Sequence, residues 1–261
     1  MKRINVGVIG TGWCGGIRAN TCANNLLVDE LHLAEIDQQR LDEVAKETGP
    51  KTATTDYKEL LANDAIDACI ISATPEITHY PLALECLKAG KHLFLEKPLA
   101  MTLKEADELV DLAANNNLKF TIGYSQRFNP KFAYVKKSLA DGTLGEPVSA
   151  LISRHISRNL GNKIGGRIKL SPAAMEATHD LDFALWCLAP VKPTRVYALS
   201  VIHFIPPSHA VYPFICLLFF LSLSLFFPFF PFCFLPPSFL IFLSPIHAFV
   251  VSSRSFFLLS L

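Results

Sequence analysis

The sequence predicts an α/β protein: a doubly wound parallel sheet, then a smaller α+β region, then an apolar tail. Short apolar runs alternate with amphipathic helical stretches, and the first run passes straight into a glycine-rich turn. The composition changes abruptly near residue 203. We therefore expect the parallel sheet in residues 1–125, an α+β region in residues 126–202 and an irregular segment in residues 203–261.

The first strand and the turn after it predict a dinucleotide site. Ile4–Ile9 is apolar throughout, as a central parallel strand must be. It is followed by the residues Gly10, Thr11, Gly12, Trp13, Cys14 and Gly15. In this spacing the first glycine permits a tight turn, the second admits a pyrophosphate and the third lets the next helix pack closely. The helix N-terminus then faces the anion. A glycine turn in another kind of α/β domain is the alternative.

An acidic residue after the second strand bears on the choice of cofactor. We predict that strand at Leu31–Ile36, with Asp37 following it, 22 positions beyond Gly15. A carboxylate there accepts the ribose hydroxyls of NAD and repels a 2′-phosphate, so we expect NAD. Arg40 nearby leaves NADP open. Asp37 can also serve as the N-cap of the helix predicted at Gln38–Thr48.

Three further strands end in residues suited to a ligand site. Ala65–Ser72 runs into Ala73, Thr74 and Pro75; Lys91–Leu95 runs into Glu96, Lys97 and Pro98; Leu118–Gly123 leads to Arg127. Ligands of open parallel sheets lie beyond the carboxyl ends of strands, so we expect these residues at the cofactor. Arg127 could reach a phosphate or ribose. Lys97 could hydrogen-bond a substrate hydroxyl, and a solvated lysine paired with Glu96 is the alternative.

A later helix supplies an acid–base candidate. We predict a helix at Ala173–Leu188, whose register places Met175, Thr178, His179 and Asp182 near one another. An unperturbed imidazole titrates near neutral pH, so His179 is suited to proton transfer. A histidine that only supports the helix is the alternative.

Composition excludes several classes of partner. The formal net charge is +1, which gives no sign of nucleic-acid binding. The 7 cysteines show no CxxC pair or metal-ligand spacing, so we expect reduced thiols, a cytoplasmic location and no metal.

The tail differs in kind from the rest of the chain. Residues 203–261 hold 15 of the 20 phenylalanines and a single charged side chain, Arg254. Phe, Leu, Ser and Pro dominate it, and all four have codons made only of pyrimidines. A translated noncoding stretch explains this bias, so we expect the tail to lie outside the native fold. A membrane segment is the rival, but Pro228 ends the apolar run at 14 residues, short of the ~20 that span a bilayer.

Five landmarks in order give the chain a resemblance to the Gfo/Idh/MocA oxidoreductases. They are Gly10-Thr11-Gly12, Ala73-Thr74-Pro75 with His79, Ala89-Gly90-Lys91-His92 leading to Glu96-Lys97-Pro98, Arg127-Phe128-Asn129-Pro130, and His179-Asp180-Leu181-Asp182. The resemblance implies a Rossmann domain and a second domain with an open, largely antiparallel sheet. It implies hydride transfer between NAD(P) and a hydroxyl-bearing carbon of a sugar, polyol or related metabolite. His79 joins the cofactor-binding residues on this ground.

The same resemblance assigns two catalytic roles. His179 is the general base on the hydroxyl, and Lys97 orients and polarises the same oxygen. The family often has an aspartate four residues before the histidine, where this chain has Met175. The second domain also stops short of its full set of strands, so we expect a truncated form. A dinucleotide-binding protein without turnover and a form associated with membranes through the tail are the alternatives. Full-length relatives could form homo-oligomers.

Overall fold

The structure, a computed structural model, describes residues 2–152, 177–196, 217–218, 247–252 and 255–260. The chain divides into two compact units, Met1–Tyr124 and Ser125–Leu261.

The first unit is built on a six-stranded parallel sheet. Its strands are β1 (Ile4–Ile9), β2 (Val28–Ala34), β3 (Thr52–Thr54), β4 (Ala68–Ile71), β5 (His92–Leu95) and β6 (Phe120–Ile122). Its helices are α1 (Trp13–Ala23), α2 (Gln38–Thr48), α3 (Tyr57–Ala62), α4 (His79–Lys88) and α5 (Leu103–Asn115). The strand order is β3-β2-β1-β4-β5-β6, so the order reverses between β1 and β4. This is the doubly wound topology that the sequence predicts.

Both faces of this sheet are buried. On one face Val6 and Val8 of β1 pack with Leu41 of α2 in a cluster that also includes Ala19, Cys22, Leu31, Leu33 and Val44. The other face carries a second cluster with Ile9, Ile71, Leu95, Leu87 of α4 and Leu109 of α5 among its buried members. Alternating side chains of one strand thus enter two cores, which explains why the strands are apolar without interruption.

Local signals set several boundaries where the sequence predicts them. Strand β1 and helix α2 agree with the prediction to the residue. Helix α5 begins with a capping box, in which Thr102 accepts from the Glu105 N–H and Glu105 accepts from the Thr102 N–H. Helix α2 ends at Gly49, whose φ of 58° is left-handed. The short elements β3 and α3 were not predicted, because three- and six-residue segments carry little periodicity.

Strand β2 differs from the prediction at both ends. It covers Val28–Ala34, so it begins three residues before the predicted Leu31 and stops two residues before the predicted Ile36. Ile36 is apolar but 84% exposed, which is why hydrophobicity alone extends the strand too far. The first residue beyond β2 is therefore Glu35.

The second unit combines helices with an antiparallel sheet. A 3-10 turn at Ser125–Phe128 leads into α6 (Pro130–Ala140), and β7 (Pro147–Ile152) and α7 (Thr178–Leu188) follow. Helix α7 falls within the helix predicted at 173–188, whose residues 173–176, Met175 included, lie outside the described part of the chain. Phe132 of α6 meets Phe183 of α7 edge to face, with ring centroids 4.7 Å apart.

Three segments of the tail are strands, where the sequence predicts an irregular region. They are β8 (Leu217–Leu218), β9 (His247–Ser252) and β10 (Ser255–Ser260), and the sheet order is β10-β9-β7-β8. All three pairings are antiparallel. Phe, Val and Leu fit a pleated surface, and strand pairing is a long-range event that a composition count does not detect. Among the described residues, no helix is long and apolar enough to cross a membrane.

Candidate functional site

The register of the parallel sheet brings the predicted strand ends into one row. Ile9 lies between Ala34 and Ile71, and Ile71 lies beside Leu95. The ladder continues past the strands through hydrogen bonds of 2.8–2.9 Å, from Gly10 N to Ala34 O, Ser72 N to Ile9 O, Glu96 N to Ile71 O and Gly123 N to Leu95 O. The glycine turn and the segments that begin at Glu35, Ser72 and Glu96 therefore leave the sheet at one edge, as the sequence predicts.

The glycine turn has the geometry of a pyrophosphate cradle. Gly10 has a φ of 83°, and a Cβ there would lie 2.8 Å from the Ala73 backbone nitrogen. A Cβ on Gly15 would overlap the Gly10 carbonyl, so only glycine allows α1 to approach the strand. At Gly12 a Cβ would meet nothing within 4 Å in the described structure, which leaves open space against the backbone. The turn thus fits the dinucleotide that its sequence predicts.

Helix α1 offers its N-terminus to an anion. Gly12 is its N-cap, and no side chain in the described part of the chain caps it, so its first amide groups remain free for an anion. Trp13 and Cys14, the first two residues of the helix, are both exposed. Thr11, the residue between Gly10 and Gly12, is fully buried.

The sequence reasoning missed one residue at this edge, Glu35. Its Oε2 accepts hydrogen bonds from the Thr11 N–H at 2.6 Å and from the Thr11 hydroxyl at 3.1 Å. Glu35 is the first residue after β2, half-buried and in contact with the glycine turn. It lies 20 positions beyond Gly15, a spacing that fits the motif as well as that of Asp37 does. The signal that could have identified Glu35 is the end of β2, which lies at Ala34 and not at Ile36.

Asp37 caps helix α2, which is the alternative role predicted for it. Its Oδ1 accepts from the Arg40 N–H at 3.0 Å, so it is the N-cap of α2, and the whole residue is exposed. Arg40 donates from Nη1 to the Thr11 carbonyl at 3.3 Å, which places its guanidinium near the turn. The ribose role of Asp37 stays a prediction, and Glu35 becomes a second candidate for it, because the side chain that contacts the turn belongs to Glu35.

His79 lies beneath the site and links two of its turns. It is 1% exposed, with Nδ1 2.7 Å from the Pro98 carbonyl oxygen and Nε2 3.0 Å from the Ala73 carbonyl oxygen. Both ring nitrogens thus lie within hydrogen-bond distance of backbone oxygens, and the ring joins the two turns that carry Ala73–Pro75 and Glu96–Pro98. The contact of His79 with the cofactor stays a prediction.

The turn after β5 presents Lys97. Lys97 is half-buried, and its backbone N–H donates to Oε2 of Glu96 at 3.2 Å. Oε1 of Glu96 pairs with Nη2 of Arg18, a residue of α1 that the sequence reasoning also missed. Burial lowers the pKa of the Arg18 guanidinium from its ordinary value. Nothing local in the sequence signals this pair, because 78 residues separate its members.

In the second unit Arg127 pairs with a carboxylate. Its Nε and Nη2 donate to the two oxygens of Asp182 at 2.8 and 2.6 Å, a bidentate pair, and its guanidinium lies 5.5 Å from the Trp186 ring centroid. His179 is half-buried on α7, three residues before Asp182. The sequence assigned Arg127 to a cofactor phosphate or ribose; the structure shows it holding the 3-10 turn to the helix that carries His179.

Metal ligands do not gather at this site. Among the residues that the structure describes, no three His, Cys, Asp or Glu side chains come together to hold a metal ion.

A glycine turn at a helix N-terminus, a carboxylate after β2 and a strand order that reverses beside the turn together define a dinucleotide-binding Rossmann domain. Residues 4–124 match the Gfo/Idh/MocA model, which describes an oxidoreductase family with an NAD-binding Rossmann fold. The first unit belongs to this family and is its NAD-binding domain.

Similar proteins include several inositol dehydrogenases. The chain is 34% identical to the inositol 2-dehydrogenase of Rubrobacter xylanophilus over 188 residues, 71% of this chain and 52% of that protein. It is 31% identical to the myo-inositol 2-dehydrogenase of Thermotoga maritima over 147 residues, 55% of this chain and 43% of that protein. The chain thus spans about half the length of these curated relatives.

Solved structures share the fold. The scyllo-inositol dehydrogenase of Lactobacillus casei, solved with NAD(H) and scyllo-inositol, matches with a TM-score of 0.70 and 24% identity, covering 78% of this chain and 62% of that one. This likeness supports the architecture.

Proposed function

We propose that the protein is an NAD-dependent dehydrogenase that oxidises a CH–OH group of a polyol, sugar or related metabolite. The observation that carries the proposal is the placement of Lys97 on a fixed turn at the strand edge that also holds the pyrophosphate cradle. The names of the relatives, inositol 2-dehydrogenases, point to a cyclic polyol as the first substrate to test.

The cofactor-binding residues have distinct tasks in this proposal. The amides at the start of α1 hold the pyrophosphate, and Glu35 exchanges its hydrogen bond with the Thr11 hydroxyl for bonds to the adenosine ribose. A negative charge at Glu35 disfavours the 2′-phosphate of NADP, whereas Arg40 near Thr11 favours it. We give the preference to NAD because two hydrogen bonds hold the Glu35 carboxylate against the turn, where its negative charge would repel a 2′-phosphate.

Two side chains would handle the substrate hydroxyl. Bound NAD would supply the acceptor for the hydride that leaves the hydroxyl-bearing carbon. Lys97 donates a hydrogen bond to the hydroxyl oxygen and so favours the charge that develops on it. His179, the general base, takes the hydroxyl proton on its imidazole. Each residue is proposed from its own unit: Lys97 from the turn after β5 and His179 from the helix held by Arg127.

A dinucleotide-binding protein without turnover is the second candidate. It is favoured by Met175, since the family often has a carboxylate at this position. Residues 1–125 would still bind NAD in that case, and residues 126–202 would be a partial substrate domain. We place the protein in the cytoplasm, which is supported by the free thiols of Cys14, Cys22, Cys69, Cys86 and Cys187.

The test is turnover of a panel of inositols and linear polyols with NAD, followed by NADH fluorescence. We expect activity with at least one cyclic polyol, and a fall in kcat of about 10²–10⁴-fold in Lys97→Met and in His179→Asn. Lys51→Met is the control, because Lys51 is 60% exposed and pairs with Glu30 on the surface. NAD binding without turnover of any polyol would overturn the dehydrogenase proposal in favour of the second candidate.

A further inference from the structure

Arg18 joins the cofactor helix to the turn that carries Lys97. It lies on α1, three residues after Gly15, with a side chain 24% exposed. Its Nη2 donates to Oε1 of Glu96, and its guanidinium carbon lies 4.2 Å from the centroid of the Phe94 ring on β5. An ion pair and a cation–π contact thus hold this side chain against the last part of β5 and the turn beyond it.

Glu96 is confined on every side that the structure describes. Its side chain is 12% exposed, its Oε1 pairs with Arg18, and its Oε2 accepts from the Lys97 N–H at 3.2 Å. A Cβ on Gly123 would lie 2.9 Å from Oε2 and 3.1 Å from Oε1, so the absence of a side chain there makes room for the carboxylate. These contacts hold the carboxylate in place, and its hydrogen bond in turn restrains the backbone of Lys97.

Loss of Arg18 would leave the Glu96 carboxylate without its cation. A buried carboxylate without a cation is costly, so the side chain would shift from its place beside the Lys97 N–H. Arg18 therefore keeps the acceptor of the Lys97 N–H in position, and with it the backbone from which the Lys97 side chain extends.

We propose that Arg18 is a positioning residue, which through Glu96 sets the place of Lys97 and couples the dinucleotide-binding helix to it. The inference rests on the proposed function for the role of Lys97. Arg18 itself touches neither the substrate nor the nicotinamide in this scheme. The device is a chain of three residues, Arg18, Glu96 and Lys97, on α1 and on the turn after β5.

The first experiment measures kinetics with NAD and a polyol in the full chain. In Arg18→Met we expect kcat to fall about ten- to a hundredfold, since misplacement of a catalytic group by ~1 Å has effects of this size. KM for NAD should change less than threefold, because Arg18 is not placed at the dinucleotide, and Arg18→Lys should recover most of kcat. Arg3→Met is the matched control, because Arg3 pairs with Asp29 on the surface with about half of each side chain exposed.

The second experiment measures hydrogen–deuterium exchange at the Lys97 amide, which donates to Glu96. We expect faster exchange in Arg18→Met and in Gly123→Ala, which displaces the carboxylate without touching Arg18, and wild-type exchange in Arg3→Met. The exchange experiment gives a result even if the wild-type protein turns over no polyol. A failure of the proposed function can therefore be distinguished from a failure of this inference. An Arg18→Met protein with unchanged kcat and unchanged Lys97 exchange would overturn the inference. So would parallel losses of kcat, NAD affinity and melting temperature that Arg18→Lys does not restore, since these indicate a structural role alone.

Discussion

Two carboxylates follow β2, and the structure separates their roles. Glu35 contacts the glycine turn through Thr11, whereas Asp37 caps α2. We predict that Glu35→Ser weakens NAD binding about ten- to a hundredfold, the worth of a charged hydrogen bond, and narrows the preference for NAD over NADP. Asp37→Ser should leave both affinities unchanged, because serine also caps helices well. Calorimetric titration of both variants with NAD and NADP measures these affinities. Weaker NAD binding in Asp37→Ser but not in Glu35→Ser would show that Asp37 binds the ribose.

His32 predicts a pH dependence of stability. It is 1% exposed, its Nδ1 lies 2.8 Å from the Thr52 hydroxyl, and burial lowers its pKa from 6.5 although Glu30 partly opposes the shift. A lowered pKa means that the fold prefers the neutral ring. Its contribution to stability is therefore complete above pH 6.5 and is lost as the pH falls through the folded-state pKa.

The corresponding measurement is the free energy of unfolding in urea between pH 7.5 and about pH 5. We expect the wild-type value to fall more steeply below pH 6.5 than that of His32→Gln, by at most ~1.4 kcal/mol per pH unit for one proton. Glutamine can still donate to Thr52 and does not titrate. Identical dependences of the free energy of unfolding on pH in the two proteins would show that the pKa of His32 does not differ between the folded and the unfolded chain.

At the scale of elements, the pair between Arg127 and Asp182 holds the 3-10 turn to α7. Its geometry is bidentate, and the Asp182 side chain is only 10% exposed against 42% for Arg127. We predict a coupling free energy of about 1 kcal/mol in a double-mutant cycle of Arg127→Ala and Asp182→Ala, because half-exposed pairs gain little beyond that. Unfolding in urea measures the free energies of unfolding of the wild-type protein, the two single variants and the double variant.

The same variants test the cofactor role predicted for Arg127. If its task is to hold α7, Arg127→Ala should leave NAD affinity unchanged while it shifts the fluorescence of Trp186, whose ring it contacts. A loss of NAD affinity in Arg127→Ala but not in Asp182→Ala would instead support the contact with phosphate or ribose.

Periodicity and local end signals together placed helix α2 correctly. This helix carries Asp37 at one end and Gly49 at the other. Strand β2 was not placed correctly, since exposed Ile36 looks like part of an apolar run. Helix α6 was not predicted either, although Asn129 caps it and Pro130 starts it.

At the scale of the whole molecule, NAD should stabilise the protein by mass action. A ligand that binds only the folded state adds ~2.7 kcal/mol at a hundred times its Kd. We therefore predict that NAD raises the melting temperature in calorimetry and that NADP at equal concentration raises it less. Glu35→Ser should reduce the shift with NAD. Equal shifts with NAD and NADP in the wild-type protein would contradict the preference assigned to Glu35.

The sequence by itself determined what depends on neighbours in the chain: the alternation of strands and helices, the glycine turn, and the candidates Lys97 and His179. Only the tertiary structure showed that Glu35 contacts the glycine turn, because the end of β2 depends on its pairing with β1 and β3. It also revealed that His79 bridges two carbonyls and that Arg18 reaches Glu96 across 78 positions. These contacts join residues far apart in sequence, and local periodicity carries no information about which distant groups will meet.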